Sequence, residues 1–246
     1  MYDWPETAAA NDAFWSRWSA AMGARGLTPP ASLDRSAAAE AAVEDLYIGQ
    51  VCGITYVRHL RDHASLIATP CYAAEGCTGP RYCSMIVTSA ETSVSNVEEL
   101  RGSVAAINSR SSFSGWNALH ATTKNGPDFF SSYRETGAHL ASAQAVAEGK
   151  ADCAALDAVC WAMVKKRRPD LAVKLTVIAK SPSVPGLPFI AGPAVSQDEV
   201  ALIREALFET LDDPQSAPIL GSLLITGAQA LDPKAYDALQ SFDRSC

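Results

Sequence analysis

Along most of the chain, short apolar runs of strand length alternate with longer stretches whose apolar residues recur every three or four positions. Residues 48–54, 64–69, 84–88, 104–107, 153–157, 174–179 and 189–194 read as strands. Residues 7–22 set Ala10, Phe14, Trp18 and Ala21 at helical spacing, and Gly23 and Gly26 end the run. Further helices are expected over 37–46, from 56 to 60, over 96–100 behind Ser95, over 142–148 before Gly149, and over 158–167. Helices over 197–212, 214–220 and 233–242 close the chain. Pro70 is expected to halt the strand before it, and residues 181–186 read as a rigid connector. This alternation predicts an α/β fold with mainly parallel sheets. No internal repeat or low-complexity linker interrupts it.

The most informative stretch is 100–119. A short apolar run, Val104 to Ile107, is followed by a polar turn from Asn108 to Ser112, and Ser114-Gly115 then opens a helix-like segment. A strand that passes through hydroxyl-rich residues into a helix start leaves backbone N–H groups free at its tip. With the hydroxyls and the positive end of the helix dipole, those donors form an anion site. The same serines also suit a plainer role, since serine is a favoured N-cap. The local pattern leaves both readings open.

Leu100-Arg101-Gly102 ahead of a strand, followed by Ser112-Phe113-Ser114-Gly115 at a helix start, forms one recognisable pair. Tyr82-Cys83-Ser84, then Gly137-Ala138-His139-Leu140-Ala141-Ser142 with Ala145-Val146, Gly149 and Asp152, then Pro185-Gly186-Leu187-Pro188, follow the same order. Together these stretches resemble the substrate-binding proteins of phosphate and phosphonate ABC importers. The resemblance implies an α/β, two-lobed type II periplasmic-binding-protein fold, each lobe a mainly parallel sheet flanked by helices. Lobe I would comprise residues 1–86 plus 187–246 and lobe II residues 87–186, with a ligand cleft between them. It further implies a solute-binding protein, not an enzyme, for a small anionic or zwitterionic ligand of phosphate or phosphonate type. An ABC transporter permease is then a candidate partner, and no cofactor is expected.

Carried over by motif, the resemblance implies ligand contacts from Ser84 near the hinge, from Ser112, Ser114 and Gly115 at the helix start, and from His139 with Ser142 on the next strand tip. Phe113 stands where the family pattern often has threonine, so one hydroxyl is lost and an aromatic face gained. Asp157 would accept an amino group of the ligand; its plainer role is an N-cap ahead of Ala158. Tyr2 would sit at the cleft mouth, its plainer role being an aromatic staple on the first helix, and Gly53 would offer backbone donors. Tyr72, opening the 72–80 loop, is a further candidate contact. Arg110 is the local cation, set to neutralise the ligand or Asp157, or to extend into water.

Composition narrows the alternatives. With 48% hydrophobic and 19% charged residues, the 246-residue chain has the make-up of a globular protein large enough for two small lobes. A net charge of −7 argues against nucleic acid or an anionic membrane as the main partner. The basic run from Lys165 to Arg168 suits a helix C-terminus. No apolar run approaches the roughly 18 residues that cross a bilayer, so the chain reads as not membrane-spanning. No secretory signal pattern is visible; the location is periplasmic if a signal has been removed and cytoplasmic otherwise. The seven cysteines lack C-x-x-C spacing, so no metal site is expected. Cys52, Cys153 and Cys160 read as core residues. A bridge from Cys77 to Cys71 or Cys83 stays open for an oxidising compartment. Ser114, His139 and Asp157 include the residue types of a nucleophilic triad, but no G-x-S-x-G elbow surrounds Ser114. The enzyme alternative is a resemblance to thiamine-pyrimidine synthesis proteins of the same fold, whose cysteine cluster is not evident. A cytoplasmic small-molecule sensor is the other alternative.

Overall fold

A computed structural model describes residues 2–35, 43–123 and 127–243. The chain divides into two compact units, one of Met1–Ala73, Thr78–Pro80 and Pro185–Asp237, the other of Ala74–Cys77, Arg81–Val184 and Ala238–Cys246. Residues 238–243 fall in the second unit.

In the first unit the strands stand in the order Ile48–Gln50, Phe189–Ala191, Ser65–Tyr72, Ile225–Gln229. Every neighbouring pair is antiparallel, which corrects the expectation of a mainly parallel sheet here. The physical reason is the order of insertion. Ile48–Gln50 and Ser65–Tyr72 run the same way, but the returning Phe189–Ala191 strand enters between them in the opposite sense. An alternation of apolar runs reveals strands and says nothing about their direction. Pro70 lies inside the Ser65–Tyr72 strand instead of ending it. It pairs only with Ala228, beyond the residues that face Phe189–Ala191, so its missing N–H costs no ladder bond on that side.

Helices Ala8–Gly23 and Gln197–Asp212 cover this sheet. Phe14, Trp18 and Met22 meet Val200, Ile203 and Leu207 over Ile67, Ala191 and Ile225. Ser196 and Glu199 close a capping box at the start of the second helix. Gly53, expected at a strand tip, instead begins the helical turn Gly53–Thr55, which runs on through Tyr56–Leu60. Of the helix expected over 37–46, a single tight turn at Val43–Asp45 is described; residues 37–42 lie outside the described residues.

The second unit holds a five-stranded sheet in the order Ser132–Glu135, Val104–Ile107, Cys153–Asp157, Ser84–Ser89, Leu175–Lys180. The first three strands are parallel, and Ser84–Ser89 is antiparallel to both its neighbours. This sheet is thus mixed. Ile86, Leu100, Ile107, Trp116, Leu119, Phe129, Phe130 and Ala155 pack into one core cluster against it. Neither candidate bridge from Cys77, to Cys71 or to Cys83, is formed. Among the described residues five strands escape the sequence pattern: three of two residues each, Cys77–Thr78, Arg81–Tyr82 and Val184–Pro185, and two longer ones, Ser132–Glu135 and Ile225–Gln229. The two longer ones are mostly exposed or half-buried and offer no continuous apolar run.

Candidate functional site

The parallel strands of the second unit end on a common edge, and each end feeds a helix start. Val104–Ile107 leads through Asn108 to Ser112 and the wide helical turn Phe113–Asn117, which continues as helix Ala118–Thr123. Ser132–Glu135 leads through Thr136 and Gly137 into helix His139–Ala147. Cys153–Asp157 passes directly into helix Ala158–Arg167. Ser84 begins the antiparallel strand at the same edge, directly opposite Asp157. Residues 84, 112–115, 139 and 157 therefore share one edge of one sheet, where open α/β sheets bind ligands.

Ser112 is the N-cap, in extended backbone, and its Oγ accepts the Gly115 N–H at 3.3 Å. Ser112 Oγ lies 3.2 Å from Ser114 Oγ, which in turn lies 2.7 Å from His139 Nε2. The capping role and the clustering of polar groups thus coexist. Phe113 does not offer its ring to a ligand. It is wholly buried, edge-on to Tyr82 and Phe242 at 6.3 and 6.0 Å between ring centroids. The two serine hydroxyls meet each other and His139, while Phe113 packs among aromatic rings. Gly115 is fixed by a close approach, since a Cβ there would stand 1.9 Å from Asn108 Oδ1. Asn108 was not singled out from sequence; the only clue was its place between the strand and the serine turn.

His139 is half-exposed as a residue, but its Nδ1 is buried, with no hydrogen bond of good geometry. Desolvation pulls its pKa from 6.5 down to about 4, slightly opposed by the nearby Ala155 backbone. The imidazole is accordingly neutral near pH 7 and does not add a positive charge. Asp157 is buried and serves as the N-cap of its helix, with Oδ1 accepting the N–H groups of Val159 and Cys160 at 2.7 and 3.3 Å. Ser84 is fully buried, and its Oγ has no hydrogen-bond partner among the described residues. Arg110 is exposed, its guanidinium stacked over Trp116 and Tyr133 at 4.6 and 5.4 Å from the ring centroids.

Tyr2, Gly53 and Tyr72 belong to the first unit. Tyr2 is buried and stands edge-on to Tyr72 at 5.3 Å, and the Tyr72 hydroxyl accepts from Gln50 Nε2 at 3.0 Å. Both tyrosines line a cavity of about 880 Å³ within that unit, together with Trp15, Trp18 and Phe189. Gly53 is buried at a helix start whose N-cap is Cys52.

The Ser114 and His139 pair is not arranged as a nucleophile and base. In a Ser-His-Asp triad a carboxylate orients the base through its second nitrogen, whereas among the described residues none bonds His139 Nδ1 and Asp157 caps its own helix. Among the described residues no group of three or more potential metal ligands comes together, and no helix is long and apolar enough to cross a membrane.

The sequence profile of a family described as ABC transporter, phosphonate, periplasmic substrate-binding protein matches residues 35–236. A search of curated proteins gave no match. Among solved structures, the binding-protein component of an ABC phosphonate transporter from Pseudomonas aeruginosa is similar with a TM-score of 0.77 at 19% identity, over 96% of this chain and 81% of that one. PhnD1 from Prochlorococcus marinus, in complex with methylphosphonate, gives 0.75 at 16% identity over 96% and 93%. A Xanthomonas citri protein bound to ATP gives 0.71 at 17% identity over 96% and 91%. At such identities the likeness is one of fold, the α/β type II periplasmic-binding-protein fold.

Proposed function

Because the chain belongs to the periplasmic substrate-binding protein family of phosphonate ABC transporters, we propose that it captures a phosphonate- or phosphate-like anion, or a zwitterion bearing such a group, at residues 112–115. The family is a substrate-binding component and not an enzyme, so a small solute and a permease are its partners. Which anion is bound, and delivery to a permease from the periplasm, belong to the proposal.

The observation that carries it is the cluster of Ser112 Oγ, Ser114 Oγ and His139 Nε2 at a helix start. Two hydroxyls can each donate to a phosphoryl oxygen. The helix start adds roughly half a positive charge and unsatisfied N–H donors. With its proton on Nε2, the neutral imidazole donates to Ser114 and leaves the serine's own proton for an anion. The proposal rests on residues of the second unit alone. Isothermal titration with methylphosphonate, phosphate, phosphite and a small amino-phosphonate tests it. Binding of at least one of them, abolished in the Ser112→Ala/Ser114→Ala double variant, is the expected result. Unchanged affinity in that variant would sink the site.

A further inference from the structure

Thr136 joins the two segments that carry Ser114 and His139. Its N–H donates to Ile107 O at 2.8 Å, and the neighbouring Gly137 N–H donates to Asn108 O at 3.0 Å. Those acceptors close the strand that launches the serine turn. Its Oγ1 lies 3.0 Å from Ile107 O, 3.1 Å from Ala138 O and 2.7 Å from Ser142 Oγ. Ser142 sits three residues after His139, on the same face of the helix, and is wholly buried.

A count of protons gives these contacts a direction. A hydroxyl has one proton and two lone pairs. Thr136 faces two carbonyl oxygens, which only accept, so its single proton goes to them. The short contact to Ser142 is then one in which Ser142 donates and Thr136 accepts. Ser142 therefore turns its hydroxyl inward and has no proton left for a ligand, although its place in the Gly-x-His-x-x-Ser stretch suggested a contact.

We infer that Thr136 and Ser142 form a hydroxyl clasp that positions His139 against Ser114, an inference that rests on the binding role proposed for those two residues. The clasp ties the end of the Val104–Ile107 strand to the first turn of the His139–Ala147 helix. Binding groups must be held within about 0.5 Å by the hydrogen bonds behind them, and the 2.7 Å contact between Ser114 and His139 has that requirement. Without the clasp, the first turn of the helix keeps its backbone bond from Ser142 N to Ala138 O but loses its side-chain tie to the end of the Val104–Ile107 strand. Thr136 and Ser142 are thus positioning residues that touch no ligand.

Thr136→Val keeps the shape and removes the hydroxyl; Thr136→Ser keeps the hydroxyl; Ser142→Ala removes the donor. The readouts are methylphosphonate affinity by titration calorimetry and the His139 ring-nitrogen resonances of the ligand-free protein by NMR. Thr136→Val and Ser142→Ala are expected to weaken binding on the order of tenfold, the worth of one hydrogen bond. Both should shift the His139 resonances, while Thr136→Ser should restore both readouts. Wild-type affinity and unmoved resonances in a folded Thr136→Val or Ser142→Ala variant would overturn the clasp. If the wild-type protein binds none of the proposed anions, the binding role fails instead, and the resonances still decide the clasp on their own.

Discussion

Ser114 Oγ lies 2.7 Å from His139 Nε2, joining the start of one helix to the start of another across 25 residues of sequence. The histidine is held neutral by burial, so the contact is a hydrogen bond between uncharged groups. Its proton has two possible homes. With the proton on Nε2, the ring donates to Ser114 and leaves the serine hydroxyl free to donate to an anion. With it on Nδ1, Ser114 must donate to the ring. Anion binding should select the first form, and ring-nitrogen NMR of His139 with and without ligand reads this directly.

The same histidine makes stability depend on pH. Its native pKa of about 4 lies below the ordinary 6.5, so the unfolded chain takes up this proton at a higher pH than the native one. The stabilisation is full above the ordinary value and is lost as pH falls through the native one. Urea midpoints measured near pH 7 and near pH 4.5 should therefore drop more for the wild-type protein than for His139→Gln. Equal drops would mean that the ring is not desolvated.

Gly115 cannot gain a side chain without a collision. A Cβ would lie 1.9 Å from Asn108 Oδ1 and 3.0 Å from its Cγ. Gly115→Ala should cost about 1–3 kcal/mol, the usual scale of overpacking, and should disturb the serine turn. Pairing it with Asn108→Ala removes the two nearest atoms, leaving a 3.2 Å approach to the Asn108 backbone N, and should recover most of the loss in a thermal or urea unfolding cycle.

Asp157 supports its helix whether or not it meets a ligand. Asp157→Ala should lower stability by about 0.5–2 kcal/mol through loss of the cap, while Asp157→Asn, also a good cap, should lose little. Denaturant titration of the two variants checks this. If Asn also preserves affinity for an amino-phosphonate, the charge of Asp157 does not read the ligand's amino group.

Much of the second unit was legible because its strands are strongly apolar and its helices follow immediately. The Cys153–Asp157 strand and the Ala158–Arg167 helix have the bounds that their pattern predicts. Ser112 as a cap and Ser114 with His139 as neighbours could be anticipated from motif and turn chemistry. Phe113 could not be placed, because a hydrophobic residue between two serines fits a ligand-facing ring as well as an anchor. The partners of Thr136 and Asn108 were invisible for a different reason. Their bonds run between segments distant in sequence, and no local pattern encodes them. Strand direction in the first unit was lost in the same way, since the returning Phe189–Ala191 strand inserts between two earlier ones.

The central claim is that the anion is held by neutral donors and not by a cationic clamp. Arg110 is the cation nearest in sequence, and its guanidinium rests on Trp116 and Tyr133. The most direct test is titration of one bound anion, methylphosphonate first, into Ser114→Ala and Arg110→Ala side by side. Ser114→Ala should cost about 1.5–3 kcal/mol, as expected for a hydrogen bond to a charged group. Arg110→Ala should cost less than about 1.4 kcal/mol, or under tenfold. A larger loss from Arg110→Ala than from Ser114→Ala would contradict the account and make the site an arginine clamp.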